Sequence, residues 1–232
     1  MRPWGKLPSW WFRPGSEALT SLHGGQSAGL SQAALRIYLG LAAAKRSDAS
    51  SFEVRASLND LEDLTQLSRV MTLRGIHRAV AAGLISYKPG NRTAPSDFEL
   101  LRPEEGAGGW AKLPRAQVLQ RVPKIPHRGT TALVALKLYL IMLAGRPNDN
   151  VVVALRHQTL RDKSGAQPNQ IRPAVSLLAN EGLVHVITED ASDGFLVQRY
   201  QVVGRLDSPK SWNVATTMTL SSPPSPLAPS VK

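Results

Sequence analysis

The sequence predicts an α+β chain, mainly helical with small β-hairpins, built from two copies of one module and ending in a disordered tail. Three observations carry this. The phrase Trp4-Gly5-Lys6-Leu7-Pro8 recurs as Trp110-Ala111-Lys112-Leu113-Pro114, Arg36-Ile37-Tyr38-Leu39 is answered by Lys137-Leu138-Tyr139-Leu140, and Ala82-Gly83-Leu84-Ile85 by Glu181-Gly182-Leu183-Val184, at offsets of 106, 101 and 99. A repeat this long lies outside the roughly 20–50 residues of solenoids and suits a duplicated small domain, with loop-length changes absorbing the drift. Within each copy, helical spacing of apolar residues gives way, after a glycine, to short strand-like runs. From Asp207 the chain turns to Ser, Pro and Thr, including Ser222-Pro223-Pro224-Ser225-Pro226, too poor in apolar residues to order itself. The division is therefore residues 1–105, 106–206 and a disordered tail at 207–232.

In the first copy, Ala34, Leu35, Tyr38, Leu39, Leu41 and Ala42 follow helical spacing, so a helix is expected from Ser31, as N-cap, to about Lys45. Phe52 to Arg55 reads as a short extended piece. Asn59 or Asp60 caps a brief helix through Leu64, and Ser68 caps a longer one from Arg69 to Ala82. Gly83 closes it, because the position after a helix favours the residue that accepts positive φ freely. Leu84 to Tyr87, a turn over Pro89 to Arg92, and Asp97 to Leu101 form a hairpin with a basic tip.

The second copy restates the order: a helix over Thr130 to Ala144, a strand over Val151 to Leu155, a short helix near Gln158 to Lys163, and a longer one from about Asn169 to Asn180, ended by Gly182. Pro173 fits the longer helix only in its first turn or with a kink. The second hairpin runs Leu183 to Ile187 and Phe195 to Val202, with Ala191 to Gly194 as its turn.

Composition narrows the function. The chain has 232 residues, 42% hydrophobic and 6% aromatic, with no cysteine, which removes disulfides, catalytic thiols and thiolate metal sites and fits a cytoplasmic protein. The longest apolar run, Leu133 to Ala144, falls short of the roughly 20 residues of a membrane span, so a soluble protein is expected. Net charge is +11, which makes a polyanion the expected partner. Leu64 to Ser96 holds five cations and no acid, and Gly106 to Asn148 holds seven and no acid.

Helix, strand, helix, turn, longer helix and hairpin is the order of a winged helix. The resemblance to that superfamily becomes explicit at Ala79-Val80-Ala81-Ala82-Gly83-Leu84-Ile85 and Leu177-Leu178-Ala179-Asn180-Glu181-Gly182-Leu183-Val184. The repeated Trp-x-Lys-Leu-Pro opening is similar to the entry of winged-helix modules in phage and plasmid replication proteins. Paired winged helices with a basic balance resemble plasmid replication initiators, over residues 4 to 205. The resemblance implies sequence-specific binding of double-stranded DNA, as a replication initiator or transcriptional regulator of a mobile element, in association with the nucleoid or a plasmid.

For such a role, a helix must present donors to the major groove and cations must displace phosphate counterions. With Ile76, Ala79 and Val80 turned inward, Arg69, Thr72, Arg74, His77 and Arg78 lie on or beside the outer face. Lys88 and Arg92 on the hairpin reach phosphate or the minor groove. In the second copy Asn169, Gln170 and Arg172 suit adenine and guanine edges, whereas Glu189, Asp190 and Asp193 at its hairpin tip repel phosphate. That copy either reads DNA through its helix and the preceding basic segment, or serves as a dimerisation or partner surface for a second copy or a replication or transcription protein. Lys112, Arg115 and Arg128 lie along the DNA backbone between the two reading heads.

Enzymatic readings are disfavoured. His23, His77, His127, His157 and His185 lack metal-ligand spacing, and no cofactor motif, including a Walker-type phosphate loop, is present. Asp60, Glu62 and Asp63 are explained by the dipole at a helix start. Trp10-Trp11-Phe12 is expected to anchor the N-terminal segment, with base stacking as the alternative. A reading from another class, paired winged helices gripping a protein as in bacterial chromosome-condensation complexes, accounts less well for the charge.

Overall fold

The computed structural model describes residues 2–45, 51–91, 94–102, 109–187 and 197–206. The junction at 105/106, Arg92, the acids Glu189, Asp190 and Asp193 with their turn, and the tail at 207–232 lie outside the described residues. The first half runs β1 (Trp4–Pro8), short 3-10 turns at Trp10–Phe12 and Gly25–Ser27, α1 (Ala28–Ala44), β2 (Glu53–Ala56), α2 (Leu58–Thr65), α3 (Arg69–Ala81), β3 (Ile85–Lys88) and β4 (Ser96–Leu100). The second runs β5 (Trp110–Pro114), α4 (Arg115–Arg121), a 3-10 turn at Val122–Lys124, α5 (Thr130–Gly145), β6 (Val152–Arg156), α6 (His157–Ser164), α7 (Pro168–Asn180), β7 (Val184–Ile187) and β8 (Val197–Val202). Each half carries a three-stranded antiparallel sheet of the same order, β2-β4-β3 and β6-β8-β7. The α+β class is as expected.

Helix boundaries move where capping chemistry decides them. Ser27 holds the N-cap position of α1 without a side-chain capping bond, its hydroxyl donating back to the His23 and Gly24 carbonyls, and Ser31 lies buried inside the helix, its hydroxyl donating to the His23 carbonyl at 2.9 Å. The cap of α2 is Ser57: its hydroxyl accepts from the Asp60 amide at 3.1 Å while the Asp60 carboxylate accepts the Ser57 amide at 2.8 Å, a reciprocal capping box. Those backbone and hydroxyl donors hold the Asp60 carboxyl below the usual carboxylate range. Ser68 stands at the N-cap position of α3 as expected but its side chain makes no capping hydrogen bond, and Gly83 and Gly182 end the two long helices at φ of +68° and +66°. Pro173 sits beyond the first turn of α7. Its missing N–H leaves the Asn169 carbonyl without a helical partner on the solvent side.

The repeated Trp-x-Lys-Leu-Pro strands pair with each other. β1 and β5 are antiparallel with Trp4 opposite Pro114, Lys6 opposite Lys112 and Pro8 opposite Trp110. Exchanging the copies maps this register onto itself about the Lys6–Lys112 pair, so the two halves meet at a local pseudo-two-fold axis. Trp4 and Trp110 stack at 5.5 Å, and each lysine lies over the other strand's ring, Lys6 over Trp110 at 5.2 Å and Lys112 over Trp4 at 5.5 Å. These cation–π contacts offset the repulsion of like charges directly opposite across a strand pair. Gly5 is required on the other face, where a Cβ would stand 2.3 Å from the Ala42 carbonyl oxygen of α1.

Behind this clasp α1 and α5 are buried almost throughout and pack on each other. Each half also reaches into the other. Arg36 of α1 donates to the Val122 carbonyl at 2.9 Å and to that of Ile125, and Gln32 donates to Gly129 at 2.7 Å. In return Phe12 packs on Gly145 beneath the Lys163 ammonium at 5.4 Å. Trp11 is buried and donates to the Tyr38 hydroxyl at 3.1 Å, which makes the aromatic run an anchor. Lys137, the counterpart of Arg36, donates to the Ser164 carbonyl at the end of α6 at 2.8 Å. Burial pulls Lys137 down to about 8 and Arg36 to about 10, so both remain cationic at neutral pH. Among the described residues, no helix is long and apolar enough to cross a membrane.

Candidate nucleic-acid interface

α3 packs on α1 through Thr72, Gly75, Ile76 and Ala79, all buried. The approach is close enough that a Cβ on Gly75 would lie 2.7 Å from Ile37 Cδ1 and 2.9 Å from Ala33 Cβ. This contact sets the phase of the helix and corrects two assignments. Thr72 precedes Ile76 by four residues and shares its inner face at 0% exposure, whereas Val80 is 41% exposed. The outer face is Val70, Arg74, His77 and Ala81, all exposed.

The cations of this helix differ in availability. Arg74 points outward and makes no hydrogen bond or ion pair among the described residues. Arg69 is held by Glu62 at 3.2 Å and Asn59 at 3.1 Å, an exposed arrangement that a phosphate can displace at little cost. Arg78 is half-buried and its guanidinium donates to the Ser21 carbonyl at 2.6 Å, so it ties α3 to the N-terminal segment and does not reach a base edge. His77 meets Tyr87 edge-on at 6.4 Å, and Tyr87 stacks on Phe98 at 5.1 Å, which fixes the β3–β4 pair against the helix. Lys88 is exposed at the end of β3, opposite Asp97, whose carboxylate accepts from Arg55 at 2.8 Å.

α7 packs inward through Ile171, Ala174, Val175 and Leu178 and turns Asn169, Arg172, Pro173, Ser176 and Asn180 to solvent. Asn169 and Arg172 are placed as expected. Gln170 is not, because its side-chain carbonyl accepts the Gln167 amide at 3.0 Å and closes the N-terminus of the helix.

The shorter helices carry opposite charge. α2 bears Asp60, Glu62 and Asp63 with no cation, whereas α6 bears Arg161 and Lys163 against Asp162, with exposed Arg156 and His157 at its start. Sequence reasoning gives no place at the candidate interface to Arg156, His157 or Arg161. A charge count over the helix preceding each long one is the signal that finds them.

Two of the three connecting cations have structural roles. Lys112 lies in the clasp, its side chain 12% exposed and its ammonium 3.0 Å from Asp149. Arg115 donates to the Ala44 carbonyl at the end of α1 at 3.4 Å, and burial lowers its pKa. Neither lies open to a DNA backbone; strand pairing and helix capping take them. Arg128 is exposed beside Gly129. Among the described residues no group of three His, Asp, Glu or Cys side chains is placed to hold a metal ion. Compared with known proteins, the chain matches no protein-family model and no curated sequence.

Proposed function

We propose that the chain binds double-stranded DNA through two linked winged-helix units, with α3 as the principal reading helix and the β3–β4 hairpin as its wing. The observation that carries this is the outer face of α3, where an unpartnered Arg74 stands between Val70 and His77 on a helix whose inner face is locked onto α1. An arginine so presented suits bidentate donation to guanine. The second unit offers Asn169 on α7, which suits an adenine edge, and the cations of α6 with Arg172, which suit phosphates flanking the site. The role is one of binding, without catalysis. The resemblance to plasmid and phage replication proteins favours service as a replication initiator or regulator on a mobile element, acting on cytoplasmic DNA.

The test is fluorescence anisotropy of the full chain on a labelled duplex of random sequence, titrated with salt. Log affinity should fall linearly against log salt, by about 0.9 per phosphate contacted. Binding indifferent to salt, or none at low salt, overturns the reading and favours a protein-gripping role.

A further inference from the structure

Among the described residues the most exposed large apolar side chain is Val70, at 59%, followed by Val80 at 41%, and both lie on α3. They do not form one patch. Ten residues separate them, about 15 Å along the axis and nearly a quarter-turn around it, with Arg74 and His77 between. A protein-docking face would be contiguous. Local physics does not favour a valine there either: a β-branched residue loses rotamer freedom in a helix and, at 59% exposure, buries less than half of its surface in return. Val70 is the second residue of α3, with Arg74 one turn further along the same face.

The N-terminal part of a reading helix is the part that meets base edges, and in the major groove thymine alone among the four bases offers a methyl group. We propose that Val70 reads the 5-methyl of a thymine beside the base contacted by Arg74. The inference rests on α3 being the DNA-reading helix. The matching position of α7 is Asn169, an amide suited to adenine, so the methyl dependence belongs to one half of the site only.

The experiment selects a duplex from a random pool with the full chain, then replaces each thymine of the recovered site in turn by deoxyuridine, which pairs identically but lacks the methyl. At one thymine, in one half of the site, affinity should fall about fourfold, the value of one buried methyl. Val70→Ala should bind the unmodified site about fourfold more weakly and show no further loss on that replacement. A recovered site whose thymines all tolerate uracil, or a uracil effect that persists unchanged in Val70→Ala, overturns this inference and leaves the DNA reading standing. Failure to enrich any duplex overturns both.

Discussion

Aligned residue by residue, the outer faces of α3 and α7 share nothing: Val70 stands against Asn169, Arg74 against Pro173, His77 against Ser176 and Ala81 against Asn180. The β1–β5 clasp keeps its tryptophan, lysine, leucine and proline in both copies. The inner sides of the helices differ as well, since Gly75 lets α3 approach α1 where α7 presents Ala174 to the core. A clasp that holds the two halves in register leaves the outward faces free to diverge. The charge of the supporting helices differs too: α2, beside the arginine-bearing α3, carries Asp60, Glu62 and Asp63 and no cation, whereas α6 and α7 each carry one net positive charge. In the proposed function both long helices then read bases, Arg74 on α3 and Asn169 on α7, while the second unit adds phosphate contacts from its shorter helix.

The same contrast governs the buried cations. Arg36 crosses to the other half and satisfies the carbonyls of Val122 and Ile125, whereas Lys137 serves one carbonyl within its own half. Arg36→Met should be the most damaging of the substitutions considered. It strands buried carbonyls at about 1–3 kcal/mol each and unlatches the halves, so urea unfolding should show a loss of about 3 kcal/mol or more, or separate transitions for the two halves.

Lys137→Met should do the reverse at neutral pH. Burial lowers the Lys137 ammonium to about 8 from its ordinary 10.5. Between those values the unfolded chain binds the extra proton, so stability rises with pH across that window and the buried charge is a cost below it. The variant should gain about 1–3 kcal/mol at neutral pH less the lost carbonyl bond. It should also lose part of the rise above pH 8, since Lys45, which burial and the nearby Lys6 and Arg102 lower to about 8 as well, contributes to the same window. Above about pH 10 the tyrosines Tyr38, Tyr139 and Tyr200, held protonated by desolvation, should turn the slope downward, against the opposing contribution of Arg36, which burial lowers to about 10. Thermal melts across pH 7 to 11 check the sign.

Lys88→Ala should have the smallest effect. In the proposed function the exposed Lys88 at the end of β3 meets phosphate without reading sequence, so every duplex should weaken alike and the salt slope should drop by about one. A change in base preference would move Lys88 from the backbone to a groove.

Local signals in the chain were read well where the physics is local. The glycines at 83 and 182 declare their role through φ, and the aliphatic runs of α1 and α5 declare theirs through burial almost all round. Ser57 was legible too, since Ser-x-x-Asp is a capping pattern, and Thr72 could have been placed inside from its four-residue spacing to Ile76. What no local pattern contains is the choice of partner. The Trp-x-Lys-Leu-Pro strands pair with one another across a hundred residues of chain, and Arg36 and Lys137 look like solvated charges until their acceptors are seen. The same blindness made Arg78, Lys112 and Arg115 appear available for DNA when backbone carbonyls, or a strand and a carboxylate, already hold them.

The central claim is that two unlike reading helices, fixed by one clasp, address one composite site, and recovery of that site by selection from a random duplex pool tests it most directly. The wild-type chain should enrich a motif with two separate blocks of base preference. Arg74→Ala should bind about 10- to 100-fold more weakly and recover a motif with preference lost in one block and kept in the other. Asn169→Ala should do the converse. A motif with a single block, or one that degrades evenly in both variants while circular dichroism reports an intact fold, would contradict the account.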